Sequence, residues 1–287
     1  MQKKKRMFYD RIIQHVESHD ALKNKNAVIS YIGTGSIGAT YYDSSHIVHT
    51  QNIPLGTLKL RESLGDKYRE SSDFYIFMEE YLSNPLQLFS RSLPNSGIEN
   101  MIVSGKQTDL LTKLFDITLE EEVGFISRED FLEKYDEIKH DTPEQIAYEH
   151  ELRLAEAELL LPALCIYKTI FEMTTAKTMT VIQMKFSDTL SWKIHDPKDY
   201  KERILIFRDH TVASSRYMAQ QYNYDAKHSA AVEERALEIF DEIKKYMDWV
   251  RKIGCSFRSQ PLCTVLASLK ARKSTSKLCT ICLNVLI

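Results

Sequence analysis

The stretch Asn26–Glu62, NAVISYIGTGSIGATYYDSSHIVHTQNIPLGTLKLRE, constrains the fold of this 287-residue chain more than any other. A short apolar run, Ala27–Ile32, meets a glycine-rich loop of Gly33, Thr34, Gly35, Ser36 and Gly38. An alternating strand, a turn at Asp43–Ser45 and a second alternating strand, Ile47–Ile53, follow. The unbroken apolar run predicts a buried strand, and the alternation after it predicts a hairpin. Glycines directly after a buried strand let backbone N–H groups converge on an anion, because no Cβ blocks the approach. The same glycines would also serve an ordinary turn. A hairpin rather than a helix follows, so this is not the dinucleotide-binding loop, where a helix follows directly.

Periodicity and punctuation place further elements. Met7–His19 carries Met7, Ile12, Ile13 and Val16 at helical spacing. Ser72 predicts the cap of a helix through about Leu82, and Asn84–Gly97, with two prolines, reads as loop or short helix. Met101–Val103 is a short buried strand and Gln107–Leu114 the helix after it. Ser127 followed by Glu129 and Asp130 is a helix start with acids where the dipole favours them. Thr142-Pro143-Glu144 opens another, with Pro at a position whose N–H has no partner to lose. Leu152–Thr174 predicts a long helix buried on more than one face, and Met179–Met184 a last core strand. Beyond Pro197 only helices are expected, Tyr200–Tyr222 and Asp225–Trp249, the second with a stripe of Val232, Ala236, Ile239, Phe240, Ile243 and Met247 that reads as core packing. The acidic groups Glu79-Glu80, Glu120–Glu122 and Glu233-Glu234 read as solvated helix faces, and Cys165 as a small apolar residue of its helix.

Charge is distributed unevenly. The formal net charge is only −2, yet no Asp or Glu follows Asp248, and the last segment is basic. Four of the five cysteines, Cys255, Cys263, Cys279 and Cys282, fall there. Cys279 and Cys282 have ligand spacing, but Cys255 and Cys263 do not complete a paired zinc pattern. The tail lacks interleaved aromatics apart from Phe257, so a nucleic-acid partner is not expected. Its composition suggests a terminus read in a shifted frame, or a segment cut from a longer protein. No run approaches the roughly 18 apolar residues of a membrane span. The basic start Lys3-Lys4-Lys5-Arg6 has no apolar run after it, so a cytoplasmic chain with no membrane partner is expected.

Strand, glycine loop and hairpin in this order are how actin-like and hexokinase-like phosphotransferases present a phosphate. Pro54-Leu55-Gly56-Thr57-Leu58-Lys59-Leu60-Arg61-Glu62, directly after the hairpin, resembles the Pro-Leu-Gly-x-x-Arg-Leu-x-Glu segment of the exopolyphosphatase / guanosine pentaphosphate phosphohydrolase (Ppx/GppA) family. Ile98–Gly105 resembles that family's next strand and glycine turn; Thr142–Ala147 and Leu160–Ala163 resemble two later helix starts, and Met179–Val181 its last core strand. The matches are collinear over about residues 26 to 245.

The resemblance implies an α/β fold: an actin-like ATPase (ribonuclease H-like) lobe with a C-terminal all-α, HD-type helical segment. It divides the chain into 1–25, an N-terminal helix left from a first lobe; 26–196, the actin-like lobe; 197–250, the helical start of an HD-type domain; and 251–287, the atypical tail. It implies hydrolysis of the terminal phosphate of polyphosphate or of guanosine pentaphosphate, with magnesium. Gly33, Thr34, Gly35, Ser36, Gly38, Lys59 and Gly105 would bind phosphate. The family's catalytic glutamate belongs to the first lobe, so no catalytic residue and no metal ligand is assigned here. A homo-oligomer or a separately encoded first lobe would be the protein partner.

Three departures weigh against turnover by this chain. Tyr31 stands where the family has an acid before the loop, and a phenol, with a pKa of roughly 10, is neutral and a poor magnesium ligand. Lys59 replaces an Arg and loses its two-pronged phosphate geometry. Lys185–Leu190 has Ser187 and Thr189 where the family has Arg and Gly. His228 matches the first metal histidine of the HD-type domain, but no His-Asp pair follows it. A chain without catalysis, binding a phosphate or nucleotide ligand for regulation, is the alternative.

Overall fold

Asn26–Ile32 forms strand β1, buried on both faces except near its ends. A computed structural model describes residues 2–64, 73–94, 97–184, 191, 194–195, 217 and 225–244. The other strands are β2 (Ile37–Asp43), β3 (Ile47–Ile53), β4 (Asn100–Gly105), β5 (Val123–Ser127) and β6 (Thr178–Ile182). They make one mixed sheet in the order β3-β2-β1-β4-β6-β5. β1 pairs antiparallel with β2 and parallel with β4, in a register that sets Ile32 opposite both Ile37 and Gly105. β4 pairs parallel with β6, and β5 closes the edge antiparallel to β6. Val28, Ile29, Met101, Ile102, Val103 and Val181 are fully buried, which is why these central strands read as unbroken apolar runs.

The helices are α1 (Gln2–Ser18), α2 (Thr57–Leu64), α3 (Phe74–Arg91), α4 (Thr108–Leu114), α5 (Arg128–Ile138), α6 (Pro143–Glu149), α7 (Leu154–Glu172) and α8 (Ala226–Lys244). α7 is the hub of the helical layer and packs on α2, α3, α5 and α6. Its Leu160, Leu164, Ile166, Tyr167, Ile170 and Phe171 are buried, so its periodicity is blurred by burial on several sides. The caps expected at Ser127 and Thr142 are present, whereas Ser72, the cap expected for α3, lies outside the described residues and α3 is preceded by Asp73. The Ser127 side chain accepts from the Asp130 N–H, and Thr142 forms a reciprocal capping box with Gln145, with Pro143 in the first turn. By contact, the chain divides into two units: 11–45 with 51–190, and 1–10 with 46–50 and 191 onward. In the second, Asp225 Oδ1 accepts from the N–H groups of Lys227 and His228 and so caps α8. No helix among the described residues is long and apolar enough to cross a membrane.

Four local expectations are corrected. α3 runs on through Asn84 and Pro85 to Arg91, because Leu82, Leu86 and Phe89 are fully buried and that packing outweighs the backbone bond which Pro85 cannot donate. β5 is a strand that periodicity did not indicate. Glu120–Glu122 are not a helix face but a tight turn into β5. Glu79 is not simply solvated: it accepts from the Tyr135 hydroxyl and pairs with Lys168. The expected helix at Tyr200–Tyr222 apart from Tyr217, the Lys185–Leu190 segment and the tail from Arg251 lie outside the described residues, as do most of the apolar stripe's side chains.

Candidate functional site

The parallel strands β1 and β4 end side by side, and ligands of open α/β sheets gather outside such carboxyl ends. Two turns leave this edge. The first, residues 33–36, is closed by the Gly33 N–H donating to the Ser36 carbonyl at 3.0 Å. Its other contacts are made by carbonyls. Gly33 O accepts from the Thr57 N–H at 3.1 Å, and Thr34 O accepts from the N–H groups of Leu58 and Lys59 at 3.0 and 3.2 Å. The first turn of α2, whose N–H groups have no partners within their own helix, is thus satisfied by the loop.

That pinning orients the loop. In a trans peptide the carbonyl and the following N–H point in opposite directions, and the chain has no cis peptide bond among the described residues. With the Gly33 and Thr34 carbonyls turned onto α2, the N–H groups of Thr34 and Gly35 point away from it. Neither amide has a hydrogen-bond partner among the described residues, and both residues are exposed. Accepting bonds at the carbonyls also polarises these peptides and strengthens the N–H groups as donors. The result is a fixed pair of amides suited to a small anion.

Two glycines make the arrangement possible. A Cβ on Gly56 would lie 2.2 Å from the Gly33 carbonyl oxygen and 2.5 Å from Ser36 N. Gly105 has φ of +132°, and a Cβ there would lie 2.3 Å from the Ile32 carbonyl oxygen. Close approach of backbones therefore requires glycine at both 56 and 105. A Cβ on Gly35 meets nothing within 4 Å. The second turn reaches the first through a side chain: Gln107 Nε2 donates to Thr57 Oγ1 at 3.1 Å.

No family model matches the chain, and no curated protein matches it in sequence. Solved structures do. An exopolyphosphatase from Cytophaga hutchinsonii superposes with a TM-score of 0.54 at 14% identity, over 64% of this chain and 62% of that one. The Aquifex aeolicus member of the Ppx/GppA family gives 0.55 at 12% identity, over 68% and 63%. The fold is Ppx/GppA-like. At these identities the likeness speaks to the fold alone, and the chain spans less than two thirds of the length of either structure. The α/β, actin-like lobe expected from the sequence is the architecture found.

Within this Ppx/GppA-like lobe the sequence-predicted site residues fall as follows. Gly33, Thr34, Gly35 and Ser36 form the first turn, Lys59 lies in the first turn of α2, and Gly105 ends β4, so all six belong to the same edge. Gly38 does not belong to the loop: it is buried inside β2, paired with Tyr31. The ammonium of Lys59 donates to the Pro54 carbonyl at 2.7 Å and is exposed. Lys106 adds a second exposed cation next to Gly105. Sequence reasoning gave no role to Gly56, Thr57 or Gln107. Gly56 was visible as part of the Pro-Leu-Gly motif, but the Gln107–Thr57 bond spans fifty residues and leaves no local signal.

The donor set beside the loop does not fit the magnesium that the fold family implies. Tyr31 is half-buried, and burial pushes its phenol above the usual range, so it stays neutral. Asp109, on α4, accepts from Gln183 Nε2. Among the described residues no three His, Cys, Asp or Glu side chains are grouped as metal ligands. Magnesium prefers hard carboxylate oxygens, and the described residues of this edge supply backbone amides and two lysines instead. His228 is exposed in the first turn of α8.

Proposed function

We propose that this lobe binds the terminal phosphoryl groups of a phosphoanhydride chain, inorganic polyphosphate or a phosphorylated guanine nucleotide, in the manner of exopolyphosphatase-type proteins. The observation that carries the reading is the pair of outward amides at Thr34 and Gly35, held by carbonyls fixed on α2. Two amides with no partner among the described residues, on the sheet edge that also carries Lys59 and Lys106, offer hydrogen bonds and positive potential to phosphate oxygens. The Ppx/GppA-like fold supports the ligand class.

Tyr31 favours binding without turnover. Phosphoryl transfer to water depends on positioning, charge neutralisation and a base, and the first turn supplies only the positioning. In our reading, hydrolysis needs in addition a glutamate base from outside this lobe. The α8 segment is taken as the opening helix of an HD-type region, with Asp225 its cap.

Calorimetric titration with inorganic tripolyphosphate tests the reading. Saturable binding by the wild type is expected, weakened at least about tenfold by Gly35→Val, whose side chain would stand over the amides. Because a Cβ at position 35 meets nothing within 4 Å, the thermal midpoint should stay unchanged. Wild-type protein that binds no tripolyphosphate, or Gly35→Val protein that binds it equally well, would overturn the proposal. Phosphate release in the presence of magnesium should remain at background. Turnover well above background and lost in Gly35→Val would replace the binding reading with a hydrolase.

A further inference from the structure

We infer that Gln107 is a positioning residue for the phosphate loop, acting from the second turn through Thr57; this rests on the phosphate-binding reading above. Gln107 is 4% exposed and Thr57 0% exposed, so their contact is sheltered from water. The Gln107 amide donates to the Thr57 hydroxyl, and the Thr57 backbone N–H donates to the Gly33 carbonyl. The next two amides of α2, from Leu58 and Lys59, hold the Thr34 carbonyl. A shift of Thr57 therefore passes directly to the two peptide planes whose N–H groups face outward.

The second turn is stiff enough to transmit this constraint. Thr108 Oγ1 donates to the Gly105 carbonyl at 2.8 Å, and Gly105 sits against the Ile32 carbonyl in a left-handed conformation. Gln107 is thus presented from a backbone anchored to both central strands.

The other half of the amide shows why packing alone does not explain the residue. Gln107 Oε1 is buried and has no hydrogen-bond partner among the described residues. A buried acceptor left unsatisfied is unfavourable, whereas an apolar residue of similar shape would pack there without that cost. Leucine is the natural occupant of such a position if packing is its only task. The Nε2 bond to Thr57 is what glutamine adds.

The test uses the full chain, inorganic tripolyphosphate and four variants. Gln107→Leu and Thr57→Val should each raise the tripolyphosphate Kd on the order of three- to tenfold, the range of one net hydrogen bond. The double variant should bind no more weakly than either single one, because both remove the same bond. Thr57→Ser, which keeps the hydroxyl, should bind like the wild type. In protein without ligand, hydrogen exchange at Thr57–Lys59 should accelerate in Gln107→Leu while α7 is unchanged. Wild-type affinity in Gln107→Leu, or strictly additive losses in the double variant, overturns the inference. Should the wild type bind no tripolyphosphate, the phosphate reading fails, and exchange then decides the Gln107 link alone: faster exchange at 57–59 supports it and unchanged exchange overturns it. Thr57→Val keeps Gln107 in place and tests the same bond if Gln107→Leu fails to fold.

Discussion

Gly56 approaches Gly33 so closely that a Cβ on Gly56 would lie 2.2 Å from the Gly33 carbonyl oxygen. This is backbone against backbone, so no side-chain rotation can relieve a clash. The contact joins the start of α2 to the loop after β1, and it exists only because residue 56 has no side chain.

Substituting the glycines of this edge should therefore separate fold from binding. Gly56→Ala and Gly105→Ala are each expected to cost about 2–3 kcal/mol, the range of overpacking against groups that cannot move. At Gly105 the left-handed φ of +132° adds strain for any L side chain. Gly35→Ala should change stability by no more than about 0.5 kcal/mol, since its new methyl enters open space. Urea unfolding of the three variants checks the order. Equal stability of all three would show that the close approach is not there.

Arg128 is expected to be a strong structural anchor. Its Nη1 donates to the carbonyls of Phe171, Thr174 and Ala176 at 3.2, 3.2 and 3.0 Å, and the guanidinium lies 4.8 Å from the Phe171 ring centre. It thus closes the C-terminal end of α7 and leads the chain into β6. Arg128→Met should destabilise the fold by about 2–3 kcal/mol, because buried carbonyls lose a charged donor. Arg128→Lys should recover only part, since an ammonium does not reproduce the contact of the flat guanidinium with the Phe171 ring. Full recovery by lysine in a denaturation series would contradict this account.

What was legible in the sequence was local chemistry. The run Ala27–Ile32, the glycines after it and the alternating strands specify β1 to β3, and the caps at Ser127 and Thr142 stand where hydroxyl, proline and acid predict them. What was not legible depends on distant partners. Asn84-Pro85 is a local stop, yet Leu82, Leu86 and Phe89 share a buried face that keeps α3 going. β5 is five residues long, too short for its alternation to stand out, and it exists through pairing with β6, more than fifty residues away. At the site, the loop glycines announced themselves, but the carbonyls that orient them are held by Thr57, Leu58 and Lys59 across the hairpin. No periodicity encodes that contact.

The turn into β5 stores strain that a substitution should release. Glu120 and Val123 exchange both backbone hydrogen bonds at 2.9 Å, and the two residues between them, Glu121 and Glu122, have φ of 49° and 71°. Such tight turns favour Asn or Gly at their centre. Glu121→Asn should stabilise the protein by about 0.5–1 kcal/mol, because asparagine tolerates the left-handed region better than glutamate. Glu122 is a less informative choice, as its carboxylate also lies against His15. A lowered thermal midpoint in Glu121→Asn would argue that the Glu121 side chain does more than occupy the turn.

His15 should make stability fall in mild acid. Its Nε2 lies 3.1 Å from a Glu122 carboxylate oxygen, and Ile12, about one turn before it, and Val16, next to it, are buried. Burial is the largest influence and lowers its pKa below the usual 6.5; the Arg11 charge acts the same way, and Glu122 and Glu121 offset part of it. In the unfolded chain His15 titrates near 6.5, so below that pH the unfolded state binds more protons than the folded one. Stability then rises with pH across this window, is fully present above 6.5 and is lost as pH falls through the depressed folded value. Asp141, whose carboxyl is raised by burial, acts with the opposite sign, but at the lower pH of carboxylates. Urea unfolding of the wild type and His15→Gln between about pH 7.5 and about pH 5.5 isolates the histidine, since Asp141 is common to both. The wild type should lose more stability on acidification than His15→Gln. Parallel pH profiles would show that His15 is equally protonated in the folded and unfolded chain, which its burial between α1 and the Glu122 turn argues against.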